Sequence, residues 1–244
     1  MRTQNFELPY ILSASLIPSR NRPYEGQAGD ALLLDIAMGV MAVADGPERN
    51  PRASAMFLDK FVHSLEESGL LVPDGKGLAE SFDDIVSLTN ELIKKAQYHE
   101  STTFSAFLVG ANGIGALLHT GDSMIFLIRD GADDVVQLSR TNHYLIGRSP
   151  KLHQAEVVSI KKGDLVLLAT DGLTDLARCN GKSTGVFLSQ AINNPCPRKI
   201  ADHILECIDK VEVGLDDIAI ISADLDSLKN YISHPAKNRL ILKD

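Results

Sequence analysis

Leu165-Val166-Leu167-Leu168-Ala169-Thr170-Asp171-Gly172-Leu173-Thr174-Asp175 is the stretch on which the chain turns. An apolar run of strand length drives to an Asp-Gly pair, after which the spacing becomes helical. Such a run reads as a buried strand. It therefore lifts one carboxylate out of the core at a fixed place, and the adjoining glycine permits a tight turn. The same figure stands earlier, in Met41-Ala42-Val43-Ala44-Asp45-Gly46, and in reverse near the end, where Asp216-Asp217 leads into Ile218-Ala219-Ile220-Ile221. Three strand ends that each carry an acid point to a metal cage. A lone Asp-Gly is ordinary turn chemistry, and Asp74-Gly75 and Asp130-Gly131 are read as turns.

Bulk composition narrows the class. The 244 residues, 44% of them hydrophobic, suit one large domain. A net charge of −8 gives no basic footprint for nucleic acid, and bound divalent cations would offset part of the excess. The three cysteines (Cys179, Cys196, Cys207) have no metal or redox spacing and read as reduced thiols. The N-terminus lacks an apolar signal core, and no run approaches membrane-spanning length. The expectation is a cytoplasmic monomer with no nucleic-acid or membrane partner.

Taken in order, residues 10–17 read as a first strand and 18–29 as a loop. Residues 31–36 and 40–44 form a hairpin around Met38-Gly39. Two helices follow, the first from Pro51 to Gly69 and the second carrying Leu78, Phe82, Ile85, Leu88, Leu92 and Ile93 at helical spacing. Strands are expected at 102–109, 114–119, 123–129 and 135–138, with Ala111-Asn112-Gly113 as a hairpin turn. Residues 155–160 and 164–170 are expected to pair around Lys162-Gly163. Helices at 183–192 and 198–210, a strand at 217–224 and a short helix from Asp226 complete the domain (1–233), and 234–244 is a polar tail. Helices that arrive in pairs between groups of hairpins suit an α+β architecture of antiparallel sheets with helices outside.

Six short blocks, in order, resemble the PP2C (PPM) family of metal-dependent protein phosphatases, bacterial in type. They are Gly29-Asp30-Ala31; Val43-Ala44-Asp45-Gly46; Ser101-Thr102-Thr103; Thr120-Gly121-Asp122-Ser123 with Arg129-Asp130-Gly131; Gly163-Asp164-Leu165 through Asp175; and Asp216-Asp217-Ile218. The resemblance spans residues 12–224 and implies a four-layer α-β-β-α sandwich. It implies hydrolysis of phosphoserine and phosphothreonine in proteins by a hydroxide bridging two Mn²⁺ or Mg²⁺ ions. Such ions, about 3.5–4 Å apart, would activate water and clamp the phosphate. On this resemblance Asp45 bridges the pair, Asp171 and Asp216 complete one ion, the Gly46 carbonyl binds the other, and Asp30 acts through water. Asp122, with Asp171, matches a looser third ion. Asp217 either adds an oxygen or supports the ligands from behind. The partner implied is a phosphorylated protein, with a cognate Ser/Thr kinase.

The chain departs from that pattern at several points. Glu25 stands where the family has its phosphate-binding arginine, so Arg20 and Arg22 are the candidates for that role. Ala28 replaces the asparagine before the metal acid. Pro47 follows Gly46 where eukaryotic members have a proton-donating histidine. The segment between His143 and Gly147 is short, as if the flap bordering the substrate groove were trimmed. Among the seven scattered histidines, His119 and His143 are the ones to test as acids. Asn180-Gly181-Lys182-Ser183 lacks the first glycine of a phosphate-binding loop, and no G-x-S-x-G elbow supports a serine hydrolase. The rival function is a pseudophosphatase that keeps the sandwich as a binding or regulatory module.

Overall fold

In the computed structural model the described residues are 3–21, 28–47, 52–68, 77–95, 101–110, 113–129, 135–150, 152, 154–191, 197–212, 214–232 and 239–243. Arg22, Glu25 and Asp130-Gly131 lie outside them. The strands are β1 (Gln4–Leu8), β2 (Leu12–Ile17), β3 (Ala31–Asp35), β4 (Val40–Ala44), β5 (Phe104–Val109), β6 (Ile114–Thr120), β7 (Met124–Ile128), β8 (Val135–Gln137), β9 (Glu156–Ser159), β10 (Leu165–Ala169), β11 (Ile218–Asp224) and β12 (Arg239–Leu242). The helices are α1 (Arg52–Ser68), α2 (Gly77–Lys95), α3 (Gly172–Cys179), α4 (Thr184–Ala191), α5 (Pro197–Ile208) and α6 (Leu225–Ile232).

Two six-stranded sheets form, in the orders β1-β2-β11-β10-β7-β8 and β12-β3-β4-β5-β6-β9. Every described pairing is antiparallel. Because side chains alternate across a strand, each central strand feeds two cores. Met41 and Val43 of β4 join Leu32, Leu34, Phe107, Val166, Leu168 and Ile221 between the sheets. Val40, Ala42 and Ala44 face the other way, into Phe57, Phe61, Phe82 and Phe104 beneath α1 and α2. On the outer face of the first sheet, Leu165, Leu167 and Ala169 pack with Leu173, Phe187 and Ile204 of α3, α4 and α5. Strands buried on both faces read as unbroken apolar runs, which is what β3, β4, β5, β7 and β10 are. The four-layer α-β-β-α sandwich expected from the resemblance is the fold observed.

Two expectations fail here. Residues 155–160 and 164–170 do not pair: β9 lies against β6 in one sheet, and β10 lies between β7 and β11 in the other. The Lys162-Gly163 turn, with Gly163 at φ +83°, hands the chain between sheets. Asp164 fixes the crossing, its Oδ2 accepting the Lys161 N–H at 2.9 Å and its carbonyl accepting the Leu225 N–H at 3.0 Å. Lys-Gly serves a hairpin and a crossover equally well, so composition could not separate them. The polar tail also contains structure, since Arg239–Leu242 pairs with β3 as an edge strand. Residues 4–8, to which no element was assigned, add β1 at an edge of the other sheet, half exposed in alternation.

Deleting residues 234–244 uncovers the hydrogen-bonding edge of β3. A loss of about 1–2 kcal/mol lowers the melting temperature by roughly 2–8 °C in a chain of this size, with more aggregation through the open edge. An unchanged melting temperature by scanning calorimetry would mean that β12 contributes nothing to the sheet.

Candidate metal and phosphate site

Strand register alone collects the acids. Ala31 is opposite Ala44, so Asp30 and Asp45 leave β3 and β4 side by side. Ala169 of β10 is opposite Met124 of β7 and Ile220 of β11, which brings Asp171, Asp122 and the Asp216-Asp217 pair to one end of the other sheet. Both sets emerge at the same end of the sandwich, where hydrogen bonds join the sheets. Thr170 Oγ1 donates to Asp30 Oδ2 at 2.6 Å, and the Ala219 N–H donates to the same oxygen at 3.1 Å. In return, Asp217 Oδ2 accepts the Asp30 N–H at 2.8 Å.

The threonines of the 101–103 block hold Asp45. Thr102 Oγ1 and the Thr103 N–H donate to the Asp45 carbonyl at 2.7 and 2.9 Å, while the Asp45 N–H donates to Thr103 Oγ1 at 3.0 Å. Thr103 Oγ1 also meets Ser123 Oγ at 2.7 Å, tying the loop of Asp122 to that of Asp45. Asp171 sits at the N-cap of α3 and makes no side-chain capping bond there. Gly172 is needed here because a Cβ would stand 2.1 Å from the Asp217 carbonyl oxygen. Gly46 is buried, and a Cβ on it would meet the Gly29 carbonyl at 2.9 Å.

Close packing of acids shows in their titration. Asp30 is pushed well above the usual carboxylate range by burial, then by the charges of Asp217 and Asp45, with Thr170 opposing. Asp45 is raised by burial, then by Asp171, Asp217 and Asp122, and a hydrogen bond with the Asp30 carboxyl draws it back. The acid at the head of β11 that presses on both is Asp217, which is buried. Asp216 is half-buried, and its Oδ1 accepts the Asp217 N–H at 3.1 Å.

All these donors are oxygens, the set that hard divalent ions prefer. Among the described residues, no three His, Cys, Asp or Glu side chains converge closely enough to hold an ion by themselves. Charges sense one another over longer distances than coordination bonds allow. The acid edge therefore fits ions of the Mg²⁺ or Mn²⁺ kind that take one or two carboxylates and complete their spheres with carbonyl oxygen and water.

Other expected residues lie elsewhere. The Arg20 Nη1 bonds Asp209 Oδ1 at 3.1 Å, and its backbone bridges to Leu215. His119 is buried in β6, with Nδ1 2.7 Å from Ser105 Oγ. Pro47 is exposed, and His143 is exposed in a cavity shared with Asp122. Sequence reasoning missed Thr170, Thr103 and Ser123 as supports, although each lies inside or beside a quoted block.

Two antiparallel sheets between helices, with aspartates gathered at one end, define the architecture of PP2C-type phosphatases. The family model for Stage II sporulation protein E (SpoIIE) matches residues 53–226, and the chain belongs to that family. That match begins after Asp30 and Asp45, so the two acids of β3 and β4 are placed by the fold. No curated protein matches the sequence. Similar solved structures include the Mycobacterium tuberculosis serine/threonine phosphatase PstP/Ppp, with 18% identity and a TM-score of 0.67 over 88% of this chain and 98% of that one. The Ser-Thr phosphatase MsPP of Mycobacterium smegmatis, in complex with cacodylate, has 22% identity and a TM-score of 0.66 over 89% and 99%. RsbX in complex with magnesium has 16% identity and a TM-score of 0.59 over 91% and 99%. A structure of the PstP catalytic domain in complex with two manganese ions is also among the matches.

Because both shifts are upward, folded metal-free protein holds protons that the unfolded chain, with carboxyls near about 3.9, releases. These two groups thus add stability as pH falls from 7 toward 4. Asp45→Asn removes one of the repelling charges. Without divalent ions it should melt above wild type at pH 7, by roughly 2–6 °C, and the gap should close as pH falls. A variant that melts lower at pH 7, with no pH trend, would contradict the cluster.

Proposed function

We propose that the protein hydrolyses phosphoserine and phosphothreonine esters in a protein substrate, with Mn²⁺ or Mg²⁺ held at the acid edge. What carries this reading is the convergence of strand-end aspartates from both sheets on Asp45. A buried group of like charges opposes folding unless something positive occupies it. Two such ions, when bound, supply an activated water at neutral pH and positive charge for the phosphoryl oxygens.

The chain itself does the positioning. Asp45 and Asp171 stand at the tips of β4 and β10, and Asp216, Asp122 and the Gly46 carbonyl complete the donor set assigned by resemblance. Asp30, hydrogen-bonded to Thr170, Ala219 and Asp45, keeps Asp45 in place. Thr102 and Thr103 fix the Asp45 backbone so that its carboxylate faces the same edge as Asp171. With Pro47 unable to donate, His143 is the imidazole that lines the cavity beside Asp122, at hand for the leaving oxygen. Arg20 could reach a phosphate only by giving up Asp209, and Arg22 lies outside the described residues. The phosphorylated partner would be the product of a Ser/Thr kinase, and the enzyme would work in the cytoplasm as a monomer.

Turnover of p-nitrophenyl phosphate and of a phosphothreonine peptide should require Mn²⁺ or Mg²⁺ and cease with EDTA. Asp45→Ala and Asp171→Ala should each lower kcat/KM by a factor of about 10² or more, the scale of losing charge stabilisation in a transition state. A folded protein that binds Mn²⁺ and turns over neither substrate would favour the binding-module alternative.

A further inference from the structure

A cavity of about 590 Å³ opens beside the acid edge, lined among others by Asp122, Asn142, His143 and Arg148. Arg148 is exposed there. Among the described residues its guanidinium makes no ion pair and no hydrogen bond, although Asp122 lines the same space. A cation with no partner among the described residues, in a cavity that it shares with Asp122, leaves room for an anion there.

The mount is rigid. Residues 145–149 form a turn in which the Ser149 N–H donates to the Leu145 carbonyl at 2.9 Å and Ser149 Oγ accepts the Leu145 N–H at 2.8 Å. Gly147 takes φ +82° to close it. From α2, Asn90 accepts the Gly147 N–H at 2.8 Å and donates to the Ser149 carbonyl at 3.3 Å. On the other side, Ile146 exchanges both backbone bonds with Thr102, the residue whose hydroxyl holds the Asp45 carbonyl. Asn142 completes the frame by accepting the Gly121 N–H at 3.0 Å, next to Asp122. The arginine is thus tied through one residue to Asp45 and through the same loop to Asp122. The short segment between His143 and Gly147 holds this turn at the rim of the site.

We propose that Arg148 binds the phosphate group of the substrate, a task for which the loop at 20–25 offers no arginine at the expected position. The inference rests on the phosphatase reading above. A phosphate monoester carries about −1.5 to −2 charges near neutral pH and would be repelled by the acid edge alone. A guanidinium is always charged, and its planar fork matches two phosphate oxygens.

In Mn²⁺-loaded protein, Arg148→Ala should raise the KM for p-nitrophenyl phosphate and the inhibition constant of inorganic phosphate by about tenfold or more, the loss of one charge-assisted contact. The kcat should fall less, Arg148→Lys should recover part of the affinity, and Mn²⁺ should still raise the melting temperature. Calorimetric binding of inorganic phosphate gives the same comparison without turnover. Wild type that binds phosphate through Arg148 yet hydrolyses nothing would uphold this inference while the activity reading falls. Unchanged phosphate affinity in Arg148→Ala overturns it. So does a KM rise confined to phosphopeptides, or wild type that binds no phosphate.

Discussion

Repulsion among carboxylates is the constraint around which the molecule is arranged. Burial and the neighbouring charges of Asp217, Asp171 and one another push Asp30 and Asp45 above the usual carboxylate range, with Asp122 adding its charge on Asp45. Left to themselves these groups would splay the ends of both sheets. They stay together because Thr170, Ala219 and Asp217 clasp Asp30 across the interface, while Thr102 and Thr103, the latter met by Ser123, clasp the Asp45 backbone. Hydrophobic packing in three cores supplies the stability that such a cluster draws on. The end of the sandwich is therefore preorganised for positive charge before any arrives.

That arrangement also explains why the supports are hydroxyls and backbone amides. A lysine or arginine placed among the acids would neutralise them and leave nothing for a cation to gain. Neutral donors hold carboxylates in position while leaving their charge available. Arg148, whose guanidinium has no partner among the described residues, stands outside the cluster on a separate turn.

Much of this was legible in the residues. The apolar runs ending in Asp45-Gly46 and Asp171-Gly172 announced buried strands with an acid at each tip, and ordered blocks such as Gly121-Asp122-Ser123 pointed to one fold. What escaped was non-local. Whether Lys162-Gly163 closes a hairpin or carries the chain between sheets depends on β6 and β7, far away in the chain. Arg239–Leu242 read as a tail because four residues make no pattern until β3 offers an edge. The resemblance made Asp216 the ligand, while Asp217 was left either to add an oxygen or to stand behind it. The structure gives Asp217 the contact with Asp30 and leaves Asp216 bonded to its neighbour's amide. Arg20 looked available until Asp209 at the end of α5 was seen beside it.

The most direct test is an anomalous diffraction map from a crystal soaked in Mn²⁺. Manganese peaks between the Asp45 and Asp171 carboxylates, with the Gly46 carbonyl and ordered waters completing the coordination, are the predicted result. It would also decide whether Asp216 joins them. Peaks confined to other parts of the surface, with the acid edge empty at saturating Mn²⁺, would contradict the account.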